Sequence, residues 1–197
     1  MHDLRCQLQK RIGRWLRRAG WLGVFTFWLG LQTGRGEEKF SATAVKAAFV
    51  VNVINFVEWP ASTNSPGTND LIVGVMGDEK HVQALETAVR QNLIHTRKIS
   101  VRKVTQPQEA LGCNLVFLGA EAEAASVITA LKTAPVLTIS DAHQFAERGG
   151  IIELVTVGQN LRFDINLGAG QQAGLKLSSQ ILRLARRVLP PAGKAEK

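Results

Sequence analysis

The stretch CNLVFLGAEAEAASVITALKTAPVLTIS, residues 113–140, decides the fold. Leu115–Leu118 is a short, wholly apolar run, Ala122–Leu131 is an alanine-rich helix former, and Val136–Ile139 is another apolar run. Strands that are apolar throughout are buried on both faces, and a helix joining two of them lays them parallel. The same alternation runs upstream. Leu71–Met76, closed by Gly77-Asp78, reads as a buried strand, and His81–Asn92 reads as a helix. Ile99–Val104, where Ile99, Val101 and Val104 alternate with Arg102 and Lys103, reads as a half-buried or edge strand. Residues 42–58 (ATAVKAAFVVNVINFVE) read as a helix, with Val45, Ala48, Phe49, Ile54 and Val57 near helical spacing and Trp59-Pro60 ending it. Downstream, Asp141–Arg148 is expected as a short helix opened by Ser140-Asp141. Ile151–Val157 and Leu161–Leu167 read as a hairpin around Gly158-Gln159-Asn160. Residues 171–189 read as a long closing helix, with Leu177, Ile181, Leu184 and Val188 on one stripe and Arg183, Arg186 and Arg187 near its end. The expected architecture is α/β: a mostly parallel sheet in three layers, helices on both faces, and a C-terminal β-hairpin plus long helix. One domain spans 42–189, and 190–197, opened by Pro190-Pro191, is a loose tail.

The net charge of +8 suggests nucleic acid until it is located. Residues 1–36 hold seven Lys/Arg against one acid, Asp3, while the rest of the chain holds 17 basic and 15 acidic residues. The basicity therefore belongs to the leader, and the domain carries no electrostatic footprint for DNA or RNA. The leader runs from a basic segment ending at Arg17-Arg18, through the apolar run Trp21–Leu31, to small residues at Gly34 and Gly36. That order reads as a secretory signal peptide, cleaved after Gly36, with an uncleaved membrane anchor as the alternative; the apolar run is well short of the roughly 20 residues a membrane-spanning helix needs. The chain has two cysteines, and removal of the leader takes Cys6 with it. Cys113 alone cannot form an internal disulfide, and its setting at the start of an apolar strand reads as buried and structural.

Catalytic signatures are absent: the chain has no G-x-S-x-G, P-loop, G-x-G-x-x-G or H-E-x-x-H motif, and no cofactor is indicated. His81, His95 and His143 do not stand at metal spacing with other ligands, which gives zinc little support. Gly77 and Asp78 form a strand-to-helix turn that could hold an anion, though an ordinary turn explains them as well. Asp141 reads as a helix cap. Trp59, a large aromatic at a helix end, reads as core first and as a partner or pocket contact second, and Phe145 is a second aromatic candidate for contact. Arg162, Asp164 and Asn166 make a polar row on one strand face. Such a row is solvated, or, if covered, must be paired or filled by a ligand.

Four stretches together resemble the YfiR-like family of exported proteins: 46–60 (KAAFVVNVINFVEWP), 71–78 (LIVGVMGD), 113–119 (CNLVFLG) and 136–186, which holds VLTISDAHQFAERGGIIEL, LRFDINL and LKLSSQILRLAR. The resemblance implies a periplasmic α/β domain with a Rossmann-like sheet, often dimeric. It also implies a repressor that binds the periplasmic sensor region of an inner-membrane diguanylate cyclase, lowering cyclic di-GMP and opposing biofilm formation. Relatives serve as sensory modules of histidine kinases and cyclases, so a small-molecule-binding sensor acting on another partner is the alternative. The best-known member pairs its cysteines, whereas Cys113 stands alone here, which puts redox control in doubt. The family implies no catalytic residue.

Overall fold

A computed structural model describes residues 41–61, 70–91 and 97–191; the leader, His95 and the last six residues lie outside the described residues. Helix α1 (Ala42–Val53) is opened by Ser41, whose hydroxyl accepts the Ala44 N–H at 3.2 Å. It tightens into a 3-10 turn at Ile54–Phe56 and becomes extended at β1 (Val57–Glu58). Strand β2 (Leu71–Met76), helix α2 (Glu79–Gln91) and strand β3 (Ile99–Lys103) follow as the sequence predicts. A 3-10 turn at Pro107–Gly112 leads into β4 (Leu115–Leu118), α3 (Ala124–Leu131) and β5 (Leu137–Ser140). The hairpin is β6 (Ile152–Val157) and β7 (Asn160–Asn166), joined at Gly158, whose φ of +61° suits a two-residue turn.

The seven-stranded sheet runs β3-β2-β4-β5-β6-β7, with a last strand outside β7 that the sequence reading placed in a helix. The five strands from β3 to β6 are parallel, and β7 turns back. Fully buried runs such as Leu115–Leu118 and Leu137–Ser140 demand cover on both faces. On one face α1, the 3-10 turn after it and α2 bury Val50, Val51, Ile54 and Leu85 against Val73, Val75, Phe117 and Ile139. On the other, α3 and the 107–112 turn bury Val127, Leu131 and Ala110 against Val116 and Leu118, together with Phe145.

Three expectations are corrected. The predicted stripe of α1 is rotated: Val45 is 41% exposed, and the buried face is Ala47, Val50, Val51 and Val53. Asp141–Arg148 forms a series of turns, not a helix, because Gln144 adopts a φ of +57° and the buried Glu153 carboxylate takes the N–H groups of Gln144 and Ala146 at 3.0 and 3.2 Å. The long closing helix is instead four short elements: α4 (Leu167–Gln172), β8 (Lys176–Leu177), α5 (Ser179–Leu184) and β9 (Arg187–Leu189). Gly174, at φ +72°, ends α4 with the left-handed turn that favours glycine. Strand β8 then pairs antiparallel with β1, Ser178 caps α5 through the Ile181 N–H, and β9 joins the sheet parallel to β7.

Candidate functional site

Chemistry-bearing residues gather at three places, each of which contains residues singled out in the sequence. The first is the carboxyl edge of the parallel strands, where Gly77 and Asp78 follow β2. Asp78 is the cap of α2: its Oδ1 accepts the His81 N–H at 3.2 Å. Its own N–H donates to Glu121 Oε1 at 3.2 Å, across from the end of β4. Asp78, His81 and Glu121 thus form a cluster whose potential ligand atoms lie within 4.8 Å of one another. The view that no histidine has metal-type neighbours is corrected for His81. Asp78 at three residues' separation was visible in the sequence, but Glu121 arrives only through the pairing of β2 with β4. Desolvation works to raise the Asp78 carboxyl, but the His81 backbone and imidazole, with Lys80, outweigh it and hold the group below its ordinary value. Asp141, after β5, pairs through Oδ2 with Lys46 of α1, and its Oδ1 is buried with no hydrogen-bond partner.

The second place is the turn segment 141–150. Phe145 is 0% exposed, so its reading as a contact aromatic is corrected: it is a core residue. Glu153 and Asn166, one from each hairpin strand, knit this segment. Asn166 Nδ2 donates to the Ala146 carbonyl at 2.8 Å, while its Oδ1 accepts the Ala169 N–H at 2.8 Å and opens α4. Beside it opens a cleft of about 870 Å³ with Glu147, Arg148, Asn166, Gln171 and Gln172 on its walls. Val136 and Ile151, at the amino ends of β5 and β6, place this cleft on the sheet edge opposite Asp78. The turn at Gly77 and Asp78, the place where the sequence suggested an anion could be held, is not where the cleft opens. Trp59 is half-buried against the main core, its Nε1 donating to the Asn114 carbonyl at 2.9 Å, so packing accounts for it.

The third place is a clamp at the C-terminus. Of the polar row on β7, Arg162 is exposed, Asn166 is partly buried and Asp164 is 0% exposed. Arg186 grips the Asp164 carboxylate with Nε at 2.8 Å and Nη2 at 2.6 Å, and Arg187 adds Nε at 3.1 Å. Arg187 Nη2 also reaches Glu147 at 2.7 Å. The Arg186 fork first, and Arg187 after it, hold the Asp164 carboxyl below its ordinary value against the desolvation that raises it. The row is covered and paired, not solvated. Cys113 is free and buried; burial pushes its thiol up, against Arg102, whose Nε and Nη2 each lie 3.3 Å from Sγ.

A mostly parallel sheet covered on both faces, with polar clusters at both edges and a ligand-sized cleft, defines a three-layer α/β domain. The chain belongs to the DUF4154 family, YfiR/HmsC-like, which matches residues 43–186. That is a regulatory family. Among solved structures, a conserved domain protein from Vibrio cholerae O1 biovar eltor str. N16961 is similar at 15% identity and TM-score 0.51, over 72% of this chain and 60% of its own. The ABC domain from Streptococcus pneumonia, solved in complex with L-Trp, is similar at 12% identity and TM-score 0.47, over 73% and 60%. This chain therefore spans less than two thirds of either structure, and the Vibrio likeness is one of fold alone.

Proposed function

We propose that this protein is exported to the periplasm, binds the sensor region of an inner-membrane diguanylate cyclase and holds that enzyme in its inactive state. Membership of the YfiR/HmsC-like family over residues 43–186 carries the reading. The leader pattern of residues 1–36 supports export with cleavage after Gly36, leaving 42–189 as the binding domain and 190–197 as a tail. Among the described residues no helix is long and apolar enough to cross a membrane. Repression works by differential affinity: a tenfold preference for the inactive cyclase shifts its equilibrium by about 1.4 kcal/mol, and an envelope signal that weakens binding releases it. Phe145 is buried, so apolar contact with a partner falls to exposed side chains, of which Leu184 at 65% and Leu111 at 54% are the foremost.

The test is intracellular cyclic di-GMP in a strain lacking the gene. The level rises and returns to normal with the full chain, but not with a copy lacking residues 1–36. An unchanged level in the deletion strain overturns repression of a cyclase. One observation favours a second reading. The 870 Å³ cleft is within the ~300–1,000 Å³ range of small-molecule sites, which suits a solute sensor acting on a histidine kinase or another partner. A metabolite that raises the melting temperature of the wild type, but not of Arg148→Glu, distinguishes that role.

A further inference from the structure

The carboxyl edge between β2 and β4 is where the chain changes its direction of winding: β2 has β3 on one side and β4 on the other. In open α/β sheets the loops part at such a point and leave a crevice. Asp78 and His81 enter it from the β2 side and Glu121 from the β4 side. His81 Nδ1 lies 2.8 Å from Asp78 Oδ1 and 3.8 Å from Glu121 Oε1.

Two glycines keep the space clear. A Cβ at Gly77 would come within 3.0 Å of His81 Nδ1 and 3.1 Å of Glu121 Oε1, and one at Gly119 within 2.4 Å of Glu121 Oε1. The imidazole is set in place by Phe117, with ring centroids 5.3 Å apart. His81 Nδ1 is buried, and although Asp78 Oδ1 is near, no acceptor or donor meets it in hydrogen-bonding geometry. A buried ring nitrogen without a partner needs an explanation. Helix capping does not exhaust the cluster either. Asp78 Oδ1 takes the His81 N–H and Glu121 Oε1 takes the Asp78 N–H, while Asp78 Oδ2 faces the Lys80 ammonium at 3.7 Å, on a side chain that is 84% exposed.

We propose that Asp78, His81 and Glu121 are the three protein ligands of a divalent cation of the Zn²⁺ type, with the remaining coordination positions taken by water. One imidazole nitrogen with two carboxylates suits zinc and its neighbours, whereas Mg²⁺ and Ca²⁺ take oxygen ligands alone. The cation ties the loop after β2 to the loop after β4, so loading stiffens this edge of the sheet. The proposal is independent of the partner reading.

Calorimetric titration of the purified protein with ZnCl₂ tests it. One saturable site per chain is expected, with no matching response to MgCl₂. Glu121→Gln, which keeps an acceptor for the Asp78 N–H, and His81→Gln each lose at least about tenfold in affinity, as even outer-sphere deletions commonly do. His143→Gln binds as the wild type does. A Co²⁺-loaded wild-type sample, which needs no variant to fold, shows visible d–d bands without thiolate charge transfer. No saturable site, undiminished binding in Glu121→Gln and His81→Gln, or a thiolate band placing the metal on cysteine would each overturn the proposal.

Discussion

Gly150 has no room for a side chain. A Cβ there would lie 2.1 Å from Cε1 of Phe145, a ring that is 0% exposed and cannot swing into solvent. Gly150→Ala is therefore expected to destabilise the protein by roughly 1–3 kcal/mol, the range for overpacking a closed core, read as a lower urea midpoint at unchanged slope. The overlap at Gly119 is with the far end of an exposed glutamate, which can move aside, so Gly119→Ala costs less. At this scale the sequence was least legible. Phe145 was named as an aromatic contact candidate and 141–148 as a helix, but Glu153, a buried acceptor twelve residues beyond Asp141, draws that backbone into turns, and the Phe145 ring is buried. Nothing local marks Glu153 for that task, since a glutamate in a strand ordinarily faces water. Asp78 follows the end of β2, as the sequence placed it. Its neighbour Glu121 depends on a strand pairing that no local pattern reveals.

Elements were read well wherever periodicity and composition agreed. The strands β2, β4, β5, β6 and β7 and the helices α2 and α3 lie within a few residues of their expected bounds. Helix α1 exists as expected but buries another face, because nearly every residue in ATAVKAAFVVNVINFV is apolar and no stripe stands out. The C-terminus misled more deeply. Leu177, Ile181, Leu184 and Val188 stand at helical spacing, yet only Ile181 is fully buried. Asp164 decides the matter: its carboxylate recruits Arg186 and Arg187 from the end of the chain, and extended backbone at Arg187–Leu189 lets both reach it while β9 pairs with β7. In Arg186→Ala/Arg187→Ala the strand loses this clamp. Hydrogen exchange is then expected to quicken first at the amides of Arg187→Ala, Val188 and Leu189, with those of β4 and β5 unchanged. Equal loosening of β4 would show instead that β9 is part of the global unfolding unit.

For the whole molecule, the layer order was legible because short apolar strands separated by helices admit few arrangements, whereas the position of the cleft was not. It arises on the amino edge from the turn segment, α4 and Pro190-Pro191, parts that the sequence reading placed in other elements, in the tail or in none. Electrostatics is also a property of the whole fold. Three carboxylates, Asp78, Glu109 and Asp164, are held below their ordinary values: Asp78 and Glu109 by backbone N–H donors, Asp164 by its arginines. The unfolded chain, with carboxyl groups near about 4, takes up protons before the folded one does, so stability is full above roughly pH 5 and falls as pH drops through the lower folded values. Asp164 is the buried member, so Asp164→Asn separates its share. The variant is expected to lose roughly 1–3 kcal/mol at pH 7, less than a fully buried pair would because both guanidiniums keep solvent contact. Its stability should then fall less steeply than the wild type's between about pH 5 and pH 2, as followed by urea unfolding across that range. An acid limb of unchanged steepness would mean that Asp164 is not clamped in solution, and that β9 is held by backbone pairing and packing alone.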